Sequence, residues 1–261
     1  MIKKILLVLL VSTYVFSTEL TLGIVPQQSP LKLAKKWNAI TKYLEKETGI
    51  KIIFKTEKSI PLFEKKLYDG SYDISYMNPY HFIHANKIQD YTAFVRAKKN
   101  IVGILLSREN SIEFTPENLK DKTFLFPAPN AFAATLLPKF ELLEKHGFDI
   151  DKEAKIIYVN SHDSVYKGIS RDIGYLGGGI FRTFNNFQDS NDKNKLSIVY
   201  TTQEYPSHPL AYHPRVNKDD ILKIKQAFLN MPTELSKILS IKKFIQISNT
   251  QYDVIKNIGI K

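Results

Sequence analysis

Cysteine is absent from the 261 residues, so the chain has neither a disulfide framework nor the acylated cysteine that would tether an exported lipoprotein. Neither staple is required, because the 244 residues after the first 17 are enough to bury a substantial core. Long apolar runs are lacking beyond those first 17 residues, and no later segment reads as a membrane span. There is no internal repeat, low-complexity tract or long linker. Acidic residues are outnumbered: 37 Lys and Arg against 26 Asp and Glu give a formal charge of +11. The lysines are spread along the whole chain, as in Lys32, Lys35, Lys36, Lys42, Lys65 and Lys66, without a dense basic block. This pattern reads as solvated faces with a bias toward anionic partners, and not as a nucleic-acid surface.

The N-terminus supplies what the rest lacks. Met1-Ile-Lys-Lys4 is a basic n-region, Ile5 to Leu10 an apolar h-region, and Val15-Phe-Ser17 places small residues at −3 and −1. Residues 1–17 are therefore expected to be a signal peptide cleaved after Ser17, leaving a periplasmic protein with a net charge of +9.

From Leu20 onward, strand-like runs alternate with helical patterns. Strands are predicted at Leu20–Val25, Ile50–Phe54, Asp73–Met77, Tyr91–Arg96, Ile101–Leu106, Thr123–Phe126, Ile156–Val159, Asp172–Leu176 and Ser197–Thr201. Between the first two, Ser29-Pro30 opens a helix, Leu31, Ala34, Trp37, Ile40 and Leu44 recur on one face, and Gly49 closes it. A helix is predicted from about Ala131 to His146, and the last 45 or so residues from Lys218 read as mostly helical. Alternation of this kind argues for an α/β fold with two parallel-type sheets, flanking helices and a cleft between two lobes. The expected division is residues 18–100 plus 205–261 for the first lobe and 101–204 for the second.

Four loops stand at the C-terminal ends of predicted strands, where open α/β sheets bind ligands. Pro26-Gln-Gln-Ser29 offers Gln27 and Gln28; Tyr76-Met-Asn-Pro79 offers Tyr76 and Asn78; Pro127 to Thr135 offers Asn130, Phe132 and Ala133. The fourth, Asn160-Ser-His-Asp-Ser164, brings Ser161, His162, Asp163 and Ser164 to a helix start. Free backbone N–H groups and the helix dipole make such a start an anion site, and His162 adds a donor that titrates near neutral pH. Taken alone, each loop also reads as an ordinary helix cap. Gly177-Gly178-Gly179 reads as a turn after a strand, with Gly178 available for close backbone approach to a ligand or to the neighbouring domain. It lacks the lysine and hydroxyl of a P-loop and the spacing of a dinucleotide fingerprint, so no nucleotide or other cofactor is indicated. Arg182 either faces a bound anion or pairs with a surface carboxylate.

Catalysis finds no support. Ser164 is only two residues from His162, and no G-x-S-x-G elbow exists. His81 and His84, three apart on a predicted helix without an acid or third histidine beside them in sequence, read as a surface pair and not a metal site.

Taken in order, the opening strand with Pro26-Gln-Gln, Asp73-Ile-Ser-Tyr-Met-Asn-Pro79, the Phe126–Pro138 loop, Ser161-His-Asp-Ser164 and the Gly-rich strand end resemble a known family. It is that of the phosphonate/phosphate/phosphite-type periplasmic substrate-binding proteins of ABC importers. The resemblance covers essentially the whole chain after the signal peptide and implies the two-lobed type II periplasmic binding fold, closing like a hinge on a small anionic ligand. It implies an aromatic contact at Tyr76 and an anion contact at His162 with the helix start Asp163-Ser164. It implies a monomer that hands its ligand to an ABC permease, or alternatively signals to a membrane sensor histidine kinase. Two departures stand out. The Ser-Thr-Ser run that grips phosphonate oxygens in the family corresponds here to Ala131-Phe132-Ala133, with Pro138 kept, and Gly174 to Phe187 holds none of the carboxylates of aminophosphonate binders. Both point away from aminoethylphosphonate, toward a smaller, less polar or aromatic-stacked ligand.

Overall fold

The structure, a computed structural model, describes residues 19–258, so the expected signal peptide lies outside the described residues. Eleven strands are present among them: β1 (Glu19–Ile24), β2 (Lys51–Thr56), β3 (Ile74–Tyr76), β4 (Thr92–Ala97), β5 (Ile101–Ser107), β6 (Thr123–Phe126), β7 (Lys155–Tyr158), β8 (Leu176–Ile180), β9 (Ser197–Tyr205), β10 (Pro209–Tyr212) and β11 (Phe244–Gln246). They form two sheets, ordered β11-β4-β10-β3-β1-β2 and β7-β6-β8-β5-β9.

The α/β class stands, with one refinement: both sheets are mixed. β1 runs parallel to β2 and β3, and β6 parallel to β7 and β8. β10 is antiparallel to β3 and β4, β11 to β4, and β5 to β8 and β9. The antiparallel members flank the two crossings between sheets, residues 98–100 and 206–208. A chain leaving one sheet and re-entering it beside its own exit runs back against its neighbours. The crossings are tied side by side: Ser207 Oγ donates to the Ala97 carbonyl at 3.0 Å, and the buried Tyr252 hydroxyl donates to the Ser207 carbonyl at 2.7 Å.

Local chemistry explains most elements. In the helix Pro30–Thr48, Leu33, Trp37, Ile40 and Leu44 are buried on one face, and Gly49 ends it at φ 72°. Along β5 and β6 the faces alternate: Ile104, Leu106 and Leu125 pack with Val165 and Ile169, whereas Leu105, Phe124 and Phe126 pack with Leu142 and Phe148. Asn160 takes the left-handed conformation at φ 67°, tolerable for asparagine, and turns the chain from β7 into the helix His162–Ser170.

Three expectations are corrected. The triglycine run is not a turn; it is the middle of β8, fully buried. Each glycine is there because something else occupies the space of a side chain: a Cβ at Gly178 would stand 1.9 Å from the Ala134 carbonyl oxygen, and one at Gly179 would stand 2.5 Å from the Tyr166 hydroxyl. The predicted strand at Asp172 accordingly begins only at Leu176. The helix predicted from Ala131 begins as a π-helical turn, Phe132–Leu136, and becomes α-helical at Leu137–His146. Finally, His81 is not on the surface. It is fully buried, with Nε2 2.8 Å from Glu64 Oε1 and 3.0 Å from Asn78 Nδ2.

Candidate functional site

Two small adjoining cavities lie between the sheets. The larger, about 40 Å³, is bounded by Gln27, Gln28, Lys36, Trp37, Tyr76 and Arg182, with Thr183 and Asn186 beside the arginine. The smaller, about 10 Å³, is bounded by Asn78, Phe132, Ala133, Ala134, His162 and His208. Gln27 and Val25 line both.

The smaller cavity is built on the π-helical turn. Thr135 and Leu136 N–H groups both return to the Ala131 carbonyl, at 2.8 and 3.3 Å, and the buried Thr135 hydroxyl holds the Ala128 carbonyl at 2.8 Å. The N–H groups of Phe132, Ala133 and Ala134 precede the first helical bond and have no partner among the described residues, as the start of a helix requires. The turn sits this close to the sheet because Gly103 and Gly178 lie beneath it. A Cβ at Gly103 would be 2.0 Å from the Ala133 carbonyl oxygen.

Around the same cavity stand neutral donors and acceptors from both sides. Asn78 caps the helix Pro79–Gln89, accepting from the His81 N–H at 2.8 Å, and its amide Nδ2 donates to the Asn130 carbonyl at 2.9 Å, bridging the two sheets. His162, 2 % exposed, is held down to a pKa of about 3 by burial and then by the Arg182 charge. It is therefore neutral across the physiological range, which corrects the expectation of a donor titrating near pH 7. His208 is shifted well below its ordinary value by the same two causes.

Around the larger cavity, Tyr76 lies between Trp37 (ring centroids 5.1 Å) and His208 (5.3 Å, stacked). Arg182 donates to the Tyr76 hydroxyl at 2.5 Å and to Gln27 Oε1 at 2.7 Å, and Gln27 Nε2 meets His208 Nε2 at 3.1 Å. A guanidinium can only donate, so Gln27 must present oxygen to Arg182 and its NH₂ to His208. His208 Nε2 therefore accepts, and its proton sits on Nδ1. Of the two alternatives for Arg182, the surface carboxylate is ruled out: its partners from the facing side are neutral.

Of the residues predicted from sequence, Gln27, Gln28, Tyr76, Asn78, Phe132, Ala133 and His162 come together on the two cavities. Asn130 contributes its backbone carbonyl alone. Ser161 and Ser164 turn to each other, with Oγ atoms 2.9 Å apart and Ser161 Oγ accepting the Ser164 N–H, so the capping reading holds for them. Asp163 pairs with Lys32 across the sheets at 2.6 Å, and Gly178 lies beneath the turn, lining neither cavity. Sequence reasoning missed His208 and Lys36. His208 had one signal, a histidine flanked by Pro206 and Pro209 at a crossing.

Two α/β units meeting over a shared cleft, with polar residues from both lining its cavities, define a binding fold of the two-lobed periplasmic type. The chain matches, over residues 22–252, the family described as "ABC transporter, phosphonate, periplasmic substrate-binding protein", and it belongs to that family. Among solved structures, PhnD1 of Prochlorococcus marinus in complex with methylphosphonate superposes with a TM-score of 0.84 at 18 % identity, covering 93 % of this chain and 97 % of that one. A binding-protein component of a phosphonate ABC transporter from Pseudomonas aeruginosa gives 0.82 at 16 %, covering 93 % and 86 %. A Xanthomonas citri protein bound to chloride gives 0.73 at 14 %, covering 93 % and 96 %. At these identities the likeness establishes the type II binding fold. No curated protein sequence matches the chain significantly. Among the described residues no helix is long and apolar enough to cross a membrane.

Proposed function

We propose that this chain binds a small phosphonate-class oxyanion between its two sheets, in the periplasm, and delivers it to the permease of an ABC importer. The carrying observation is the turn of Phe132, Ala133 and Ala134, which lines the smaller cavity together with Asn78, His162 and His208 and whose three N–H groups have no partner among the described residues. Helix-start N–H groups and neutral imidazole donors suit an oxyanion without the desolvation cost of burying a cation beside it. The lost hydroxyls of the Ala131-Phe132-Ala133 segment leave the backbone donors in place.

The site residues are Gln27, Tyr76, Asn78, His162 and His208 with the turn itself. The lobes are residues 18–100 with 205–261, and 101–204, hinging at the two crossings. At about 10 Å³ the smaller cavity has room for about one water-sized group, so a tetrahedral head group would be seated with the lobes further apart than they stand here. Residues 1–17 would direct export, and the protein would act as a monomer. The sensor-kinase partner is the weaker reading, since the family is one of transport.

Calorimetric titration of the purified protein with methylphosphonate, phosphate, phosphite and sulfate tests this. Saturable one-to-one binding of a phosphorus oxyanion, weakened by His162→Ala, is expected. Binding unaffected by His162→Ala removes that residue from the site, and absence of binding to every phosphorus oxyanion overturns the proposal.

A further inference from the structure

The larger cavity holds an imbalance of charge that an oxyanion at the π-helical turn leaves untouched. Lys36 Nζ donates to Gln28 Oε1 at 2.9 Å, and Arg182 donates to Gln27 and the Tyr76 hydroxyl; all three acceptors are neutral. No carboxylate lines this cavity. The acid that acts on Lys36 is Asp163, and Lys32 already holds it at 2.6 Å. Three cations thus face one carboxylate. Burial and the Arg182 charge together lower the pKa of Lys36, which is the cost of leaving two cations half-buried without a counter-charge.

We infer that the space between Lys36 and Arg182 is a second anion subsite, and that the ligand is a phosphonate carrying a carboxylate on a short alkyl linker. Three observations set the chemistry. At about 40 Å³ the cavity has room for about three water-sized groups, the size of a carboxylate. A guanidinium beside an ammonium matches a planar carboxylate better than a second cation or a neutral group. Leu33, Trp37 and Leu239 give the same cavity apolar walls for methylene groups.

The two cavities are one side chain apart. Gln27 borders both; Thr183 borders the larger, and its hydroxyl lies 3.3 Å from His162 Nδ1 in the smaller; Tyr76 in the larger stacks on His208 in the smaller. One short bifunctional molecule can therefore meet both. The inference rests on the reading of the smaller cavity as the oxyanion seat, and its test separates the two.

Purified wild-type, Lys36→Gln and Arg182→Gln proteins would be titrated calorimetrically with methylphosphonate, phosphonoacetate, 3-phosphonopropionate and 2-aminoethylphosphonate. The readout is the ratio of affinities within each protein, which a change in overall stability does not mimic. For the wild type, one phosphonocarboxylate should bind about 10- to 100-fold more tightly than methylphosphonate, the worth of a charge-assisted hydrogen-bonded contact. 2-Aminoethylphosphonate should bind more weakly than methylphosphonate. Both substitutions should bring the ratio to within about threefold of one. Methylphosphonate binding at least as tightly as both phosphonocarboxylates, or a preference that survives both substitutions, overturns the subsite and leaves the oxyanion reading standing. Loss of methylphosphonate binding altogether in Arg182→Gln, with the protein folded, overturns it as well, because the single anion would then sit at the arginine. No binding of any phosphonate by the wild type overturns both.

Discussion

Gly178→Ala is the perturbation most directly aimed at how this fold makes its site. The glycine lies mid-strand in β8, in an ordinary extended conformation, so the substitution has no backbone cost of its own. The cost is steric: the new methyl would stand 1.9 Å from the Ala134 carbonyl oxygen and 2.5 Å from Phe126 Cδ1. Restoring even 3.0 Å to the carbonyl requires the turn to lift by about 1 Å. Overpacking against backbone of this kind costs about 1–3 kcal/mol, and for a chain of this size each kcal/mol lowers Tm by about 2–4 °C. Gly147→Ala is the matched control: nothing lies within 4 Å of its added methyl, and its cost comes from φ 65°, about 1–2 kcal/mol. Both variants should therefore lose stability in urea and thermal unfolding. Only Gly178→Ala should also weaken methylphosphonate binding, because the Phe132–Ala134 donors move with the turn. A Gly178→Ala protein within about 0.5 kcal/mol of wild type, or one that binds methylphosphonate unchanged, would refute the idea that the glycines seat the turn.

Asn78→Ala removes a helix cap and a bond between the sheets at once, and should cost about 2 kcal/mol in urea unfolding; a loss under 0.5 kcal/mol would show the amide to be dispensable. His162 titrates at 6.5 when unfolded and about 3 when folded, so between those values the unfolded chain holds the extra proton. Its contribution is complete above pH 6.5 and is lost as pH falls toward 3, amounting to about 2 kcal/mol between pH 7 and pH 5. Urea unfolding of wild type and His162→Gln at both pH values should show a shallower pH dependence in the variant, and parallel curves would contradict the buried neutral histidine. Ala131→Ser with Ala133→Ser should tighten methylphosphonate binding several-fold, the worth of one or two neutral hydrogen bonds; an unchanged Kd would mean that this segment does not correspond to the family's hydroxyl run.

What the sequence made legible follows from how local the cause is. The helix Pro30–Thr48 has its own stripe, its proline and its closing glycine, and it stands where periodicity puts it. β10 and β11 have no such signature. They are four and three residues long, β10 opens on a proline, and they are strands because β3 and β4 offer them edges. The triglycine run reads as a turn because glycine ordinarily marks one; neighbours distant in sequence explain it, the Ala134 carbonyl over Gly178 and the Tyr166 hydroxyl over Gly179. His81 was read as a surface residue because its partner Glu64 lies on the preceding helix. Tyr76, Asn78 and His162 were legible because each sits at a strand end before a helix start, a place fixed by topology before any packing detail. Lys36 was not, because a lysine in a basic helix looks like any other until Arg182 is set beside it.

Gln27 links these elements in a way no single loop suggests. Its side-chain amide is oriented by Arg182, that orientation sets the proton on His208, and its backbone carbonyl accepts the His162 backbone N–H at 3.4 Å. Arg182 and His162 come from the second sheet's side and Gln27, Tyr76 and His208 from the first sheet's side or its crossing, so these bonds join the two sides. Lys32–Asp163, Asn78–Asn130 and Asn186–Ser240 join them across the same divide. Each is worth about 0.5–1.5 kcal/mol net, the half-exposed ion pair less. On the proposed hinge, such contacts would favour the arrangement described here, and a ligand would shift the equilibrium only by its differential affinity for the open and closed forms. A carboxylate drawing the Arg182 guanidinium from the Gln27 oxygen would free that amide to turn, and with it the proton arrangement of His208 at the oxyanion seat. Occupancy of one cavity then alters the donors of the other, through a single side chain that borders both.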